Sequence, residues 1–314
     1  MATSVTFLLT SVGRRVELVR HFRAYERLMP EHFRVLGTEI DEFSPAAQEM
    51  GDSLRIVPRV DDRDHATELE RICADENVTA VFPLIDPDVQ ALSRINVPCA
   101  ALAQDAAEVV SDKWLTYQWL QERGIPTVDT WLPQESGPPN TYPVFMKPRR
   151  GSGGKDAYAI KNEFEYDFFG RYIPDPVAQA YLPGGEITAD AIVGRRGDIL
   201  GLALRERLVV RGGEVSRGRL IVDDIVEAMV KNVVGALDPR GPVTVQGMYD
   251  EDQAFRVTEI NGRMGGGLPL AIAGGLPVAE SLVSSWRGLP VPSLGPKDLK
   301  PGLQMARFDQ SVFW

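Results

Sequence analysis

Cysteine is nearly absent from this 314-residue chain, which has only Cys73 and Cys99. Cys73 falls in an expected helix and Cys99 in an expected strand, so no disulfide framework is available. Two thiols and three scattered histidines, His21, His32 and His65, also make a poor zinc site. Both cysteines read as small buried hydrophobes. Long apolar runs are missing as well: none approaches the roughly 20 residues of a membrane-spanning helix. The opening strand-like Val5–Thr10 comes before Arg14 and Arg15, whereas a signal peptide places its basic residues first. The expectation is a cytoplasmic protein with no membrane partner. Excess positive charge is lacking too. The formal net charge of −10 argues against general nucleic-acid binding. It leaves room for an anionic small ligand, because Arg205, Arg207, Arg211, Arg217 and Arg219 crowd into one stretch that contains only Glu206 and Glu214 as acids.

Two familiar nucleotide signatures are also missing. The first strand runs into Ser11-Val12-Gly13-Arg14-Arg15, not G-x-G-x-x-G, which weighs against a dehydrogenase. The glycine-rich Gly151-Ser152-Gly153-Gly154-Lys155 continues with Asp156 and a strand, where a P-loop needs Ser or Thr and a helix.

What is present is an ordinary globular composition, 44% hydrophobic and 25% charged, with length enough for two or three modules. Over the first hundred residues apolar strands alternate with amphipathic helices. The strands are expected at Val5–Thr10, Arg34–Ile40, Leu54–Pro58 and Ala80–Ile85, and the helices at Arg14–Leu28 and Asp64–Glu76, with Asp86-Pro87-Asp88 as a turn. This alternation predicts α/β architecture, a parallel sheet covered on both faces in a Rossmann-like module. A helix over Asp112–Arg123, capped by Ser111 and stopped by Gly124, follows. Strands then dominate, with Gly184-Gly185, Arg196-Gly197-Asp198 and Gly212-Gly213 as turns that suit antiparallel pairing, giving an α+β second half. Helices are expected there at Asp224–Leu237 and Val278–Trp286.

Three segments carry chemistry. In Phe145–Lys155 a strand delivers Lys147 into a glycine-rich loop. Glycines let backbone N–H groups approach a polyphosphate, and a lysine adds a point charge; taken alone, the segment is equally a mobile hairpin. In Val257–Arg263 the period of a strand puts Glu259, Asn261 and Arg263 on one face, with Gln246 a candidate cross-strand neighbour. A carboxylate and an amide oxygen suit Mg²⁺, and the arginine suits a phosphoryl oxygen; a solvated strand face with one ion pair is the plain alternative. In Gln179–Glu186 an apolar strand ends at a turn and an acid, which suits an adenine edge and a ribose but is also common in turns.

In order, Ser111-Asp112-Lys113, Lys147-Pro148 with Gly151–Gly154, Gln179–Glu186, Gln246 and Glu259-Ile260-Asn261-Gly262-Arg263 resemble the ATP-grasp superfamily. The likeness is nearest to short, single-module relatives of the carbamoyl-phosphate synthase large subunit, which Leu9–Arg15 and Pro83–Pro87 also resemble. The resemblance implies a Rossmann-like pre-ATP-grasp domain (1–108), a small lid (109–175) and a large ATP-grasp subdomain (176–314) with antiparallel sheets. It further implies that Lys113 and Lys147 hold the phosphates of ATP and that Gly151, Ser152, Gly153 and Gly154 close over them. Gln179, Ala180, Tyr181 and Leu182 would hold adenine, and Glu186 ribose. Gln246, Glu259 and Asn261 would hold Mg²⁺, with Mn²⁺ as a substitute, and Arg263 would stabilise the transferred phosphoryl group. The chain departs from the family at Gly262, where proline is common; the glycine is expected to loosen the backbone before Arg263.

The implied reaction is carboxylate–amine ligation through an acyl phosphate, with release of ADP and phosphate. The alternatives are a carbamoyl-phosphate-synthase-like half-enzyme acting on bicarbonate or carbamate with a partner, and a non-catalytic ATP-binding regulator. Arg205, Arg207, Arg217 and Arg219, spaced two apart on a hairpin, are the expected clamp for the acid, with a solvated basic face as the alternative. Arg14 and Arg15 open the first helix and are either substrate contacts or an exposed helix start. The expected partners are small carboxylates and amines, and a homodimer is compatible with the chain.

Overall fold

The computed structural model describes residues 4–98, 102–151 and 153–314, so Cys99 and Ser152 lie outside it. Val5–Thr10 (β1), Phe33–Glu39 (β2), Leu54–Ile56 (β3) and Ala80–Pro83 (β4) form a parallel sheet in the order β3-β2-β1-β4. The near-continuous apolar sequence of β1 follows from cover on both faces. Leu8, Leu36 and Val81 enter one core, while Phe7, Leu9, Val35 and Phe82 enter the other. The second core crosses the chain: Phe7 and Phe82 make edge contacts with Trp286 at 5.8 and 5.3 Å. His21, on the helix Val16–Leu28, accepts the Ala279 N–H at 3.2 Å. The first module is thus welded to the last helix, Val278–Trp286.

Thr130–Trp131 (β5), Val144–Pro148 (β6), Tyr158–Ile160 (β7) and Pro176–Ala180 (β8) form a small antiparallel sheet in the order β5-β8-β6-β7. Residues 176–180 thus complete the small sheet, beyond the boundary expected after 175. A helix over Glu163–Tyr172, absent from the sequence reading, packs Tyr166 into the core of this sheet and starts at Asn162, whose side chain accepts the Glu165 N–H at 2.9 Å.

Glu186–Val193 (β9), Ile199–Arg211 (β10), Glu214–Ile221 (β11), Val243–Tyr249 (β12), Phe255–Asn261 (β13) and Gln304–Ala306 (β14) form a six-stranded antiparallel sheet, β13-β12-β9-β10-β11-β14. The helix Asp224–Leu237 lays Val226, Val230, Val233 and Val234 on one face, against Leu202 and Leu204. The other face, which carries Ala203, packs on the helices Leu268–Ala273 and Val278–Trp286.

Two local expectations are corrected. Asp86-Pro87-Asp88 is the first turn of a helix, Asp86–Leu92, where proline's fixed φ and acidic side chains both suit an N-terminus. The cap of the helix Lys113–Glu122 is Asp112, not Ser111: the Asp112 carboxylate accepts the Trp114 and Leu115 N–H groups at 3.0 and 3.2 Å.

Candidate active site

Strand parity builds one wall of a cleft of about 720 Å³ between the small and large sheets. On β6, Val144 and Met146 turn into the small core, so Phe145 and Lys147 face the cleft. Burial lowers the Lys147 ammonium pKa from 10.5 to about 8; Glu259 opposes this, Lys113 reinforces it and Glu186 opposes it. Lys113 starts its helix beside this wall. Its Nζ donates to the Gly151 carbonyl at 2.8 Å and lies 3.9 Å from a Glu259 oxygen.

Asp112 ties the glycine loop to the same point. Fully buried, it accepts from Arg149 Nε at 2.7 and 2.8 Å and from Arg150 Nη2 at 3.1 Å. Burial would raise its pKa, but the Arg149 hydrogen bonds, the Leu115 N–H and both arginine charges hold it below the usual carboxylate range. The loop lies on the β10–β11 turn so closely that a Cβ on Gly213 would fall 2.0 Å from the Gly153 carbonyl oxygen.

The adenine-side residues line the same cleft. Gln179 is buried, gives its side-chain amide to Thr130 Oγ1 at 3.0 Å, and sits within the small sheet opposite Thr130 and Phe145. Ala180 N–H is bound to the Asp129 carbonyl at 2.9 Å, Tyr181 stands exposed at the rim, and Leu182 is buried. Glu186 forms an ion pair with Arg207, whose Nη2 also donates to the Gly213 carbonyl at 2.9 Å.

On the opposite wall Gln246 of β12 sits directly across from Glu259 of β13, and Thr244 across from Asn261. Glu259, Asn261 and Arg263 all line the cleft. Arg263 makes a bidentate pair with Asp86, Nε to Oδ1 at 2.7 Å and Nη2 to Oδ2 at 2.9 Å, and Nη2 also reaches Asn261 Oδ1 at 3.4 Å. Sequence reasoning missed Asp86 as a site residue, because its partner is 177 positions away. The looseness expected of Gly262 is also corrected. A Cβ there would meet Leu102 Cδ1 at 2.5 Å and Val89 Cγ1 at 3.0 Å, so the glycine lies packed against the first module and a larger residue would require those side chains to shift.

The arginine hairpin divides. Arg205 opposes Leu220 and Arg207 opposes Gly218, so these two arginines share the cleft face. Arg219 opposes Glu206, forms an ion pair with it, and lies with Arg217 away from the cleft. The signal was in the sequence: a two-residue Gly212-Gly213 turn pairs Arg211 with Glu214, which sets odd-numbered residues against even-numbered ones, as it does Arg219 against Glu206, although register shifts flanking Val209 put Arg217 opposite Val209. Arg205 lines the cleft but is almost wholly buried, with its Nη2 on Asp190 Oδ1 at 3.0 Å and its Nε on the other carboxylate oxygen. It braces the wall through that carboxylate.

Among the described residues no cluster of three or more His, Cys, Asp or Glu side chains forms. Gln246, Glu259 and Asn261 offer one carboxylate and two amide oxygens. That set fits a hard cation arriving with a polyphosphate, not a preformed protein cage.

Residues 110–267 match the model of the ATP-grasp domain, and residues 7–102 that of the PylC-like N-terminal domain. A carbamoyl-phosphate synthase of Methanobrevibacter smithii is 25% identical over 169 residues, 49% of this chain and 44% of that protein, so the match spans less than half the length of this curated relative. Among solved structures, N5-carboxyaminoimidazole synthetase from Staphylococcus aureus, complexed with ADP, superposes with a TM-score of 0.74 at 17% identity, covering 94% of this chain and 80% of that one. The L-amino acid ligase from Bacillus licheniformis does so with 0.68 at 18%, covering 91% and 75%. At such identities the likeness establishes a shared fold.

Proposed function

The chain belongs to the ATP-grasp family, and on that premise we propose that it uses ATP to convert a small carboxylate into an acyl phosphate, which an amine then attacks. The observation that carries this reading is the convergence of Lys113, Lys147, Glu259, Asn261 and Arg263 on one cleft beneath a glycine loop. Phosphoryl transfer asks a protein mainly for positioning and charge neutralisation, and these residues are of the types that provide both.

In this reading Lys113 and Lys147 bind the β- and γ-phosphates, and Gly151, Ser152, Gly153 and Gly154 lie over them. The backbone of Gln179–Leu182 reads the adenine edge, and Glu186, held by Arg207, takes the ribose hydroxyls. Gln246, Glu259 and Asn261 hold Mg²⁺ or Mn²⁺, which neutralises phosphate charge when bound. Arg263, fixed by Asp86, meets the charge that develops on the transferred group. The carboxylate oxygen attacks the γ-phosphorus as ADP leaves, and the amine then expels phosphate from the acyl carbon.

The test is ADP release over amino acids and small carboxylates with Mg²⁺, with hydroxylamine included to trap the acyl phosphate as a hydroxamate. Acid-dependent ADP and hydroxamate are expected. ATP binding with no ADP from any acid would instead mark a regulator. The match to a carbamoyl-phosphate synthase supports a second reading, phosphorylation of bicarbonate or carbamate; ADP release with bicarbonate and no carboxylic acid would favour it.

A further inference from the structure

Beyond the phosphate-handling residues the cleft continues to Arg15, Ile85, Asp86, Glu214 and Gly266, where the first and last modules meet. Four arginines line the cleft, and three hold hydrogen-bonded ion pairs: Arg205 with Asp190, Arg207 with Glu186, and Arg263 with Asp86. Arg15 differs. It donates to the Leu84 carbonyl at 3.3 Å, and its nearest carboxylate, Glu214, is 3.7 Å away, beyond hydrogen-bond reach. Glu214 instead accepts a hydrogen bond from Arg307 Nη1 at 3.2 Å. The Arg15 side chain is only 17% exposed, so solvent screens it little and its one carboxylate neighbour stands at ion-pair distance without a hydrogen bond. A Cβ on Gly266 would fall 2.4 Å from Arg15 Nη1; the guanidinium lies against the bare glycine, where a larger residue would displace it. Burial, then Arg263 and Arg307, depress the proton affinity of Arg15 against the pull of Glu214 and Asp86, as expected where positive charge is under-compensated.

We propose that Arg15 receives a spectator carboxylate, carried by the acid or by the amine but not itself phosphorylated, so that one substrate is an amino acid or a dicarboxylic acid. The proposal rests on the ligase reading and names the substrate class for it. A guanidinium presents paired donors that match a carboxylate fork, and Arg15 lines the cleft together with Ile85 and Asp86 of the first module.

The test compares matched pairs: dicarboxylates from malonate to adipate against the corresponding monocarboxylates, and amino acids against their decarboxylated amines. ADP release gives kcat and KM for each. Equilibrium titration with Mg²⁺ and a non-hydrolysable ATP analogue reads the same preference without chemistry. Wild type is expected to favour the carboxylate-bearing member of at least one pair about tenfold or more, the scale of a charged hydrogen bond. Arg15→Ala should reduce that preference to about twofold or less by raising KM, leaving kcat and the KM for ATP in place, and Arg15→Lys should restore part of it. The arm that shows the preference tells whether the group sits on the acid or the amine. Equal use of both members in every pair, or a preference that survives Arg15→Ala, overturns the proposal. Silence in the ADP assay with an Arg15-dependent preference in titration would refute the ligase reading and leave the carboxylate site standing.

Discussion

Lys147 offers the sharpest quantitative test, because its charge is costly to the empty protein and useful to the loaded one. Its ammonium pKa falls from 10.5 to about 8 in the folded chain. At pH 7 the native state therefore carries a partly buried charge at a cost of about 3 kcal/mol, since each tenfold loss of proton affinity is worth about 1.4 kcal/mol. The sign follows from proton counts: between pH 8 and 10.5 the unfolded chain binds more protons, so this group's destabilisation is full below 8 and fades as pH rises. A triphosphate reverses the balance by holding the lysine protonated. Affinity for Mg-ATP should then be flat up to about pH 7.5 and fall about tenfold by pH 9, where only about a tenth of the free protein has Lys147 charged. Calorimetry in buffers of different ionisation enthalpy should find close to one proton taken up per ATP at pH 9 and about 0.1 at pH 7. Lys147→Met should lose both effects, melt several degrees higher without ligand at pH 7, and form no ADP. ATP affinity independent of pH from 7 to 9.5, or a Met variant that melts lower, would refute this account.

Other residues give simpler outcomes. Glu259→Gln should abolish Mg-dependent ADP formation with the melting temperature little changed, since Glu259 is 24% exposed and its nearest cation, Lys113, is 3.9 Å away. Asp86→Asn releases one side of the Arg263 pair and should lower kcat about ten- to hundredfold, with the KM for ATP nearly unchanged in steady-state kinetics. Arg205→Ala strands a buried Asp190 carboxylate and should cost about 3–5 kcal/mol in denaturant unfolding; a normal unfolding midpoint with a raised acid KM would return Arg205 to the role of clamp.

How far the sequence can be read depends on how local each constraint is. Val5–Thr10 and Val278–Trp286 emerge at the very residues expected, because burial on both faces leaves an unbroken apolar strand and one-sided packing leaves a helical stripe. The helix Glu163–Tyr172 is hidden because Phe164, Phe168 and Tyr172 point to solvent and blur that stripe. Asp86–Leu92, Gln104–Val110 and Leu268–Ala273 are one or two turns long, too short for a periodic signal.

The site divides along the same line. Glu259, Asn261 and Arg263 share a face by the two-residue period of one strand, and a short hairpin carries that logic to Gln246. The same logic, followed through the Gly212-Gly213 turn, separates Arg217 and Arg219 from Arg205 and Arg207. Spacing within one strand groups all four arginines; only parity counted across the turn divides them. Asp86 and Gly262 obey no such local rule. One fixes Arg263 from a helix in the first module, and the other makes room for Leu102 and Val89. Both are demands that one module makes of another, and they follow from the shared cores that hold Phe7 on Trp286. A cleft assembled by such welding has a fixed acceptor end, with Asp86, Arg263 and Arg15 set by packed elements. Its nucleotide end lies under a glycine loop held chiefly by Asp112 and the Gly213 contact. Movement on loading ATP is therefore expected in the loop and small sheet, and the spacing from Arg15 to Arg263 should stay constant. The substrate's length, not a change in the protein, would then decide which carboxylate meets the γ-phosphate.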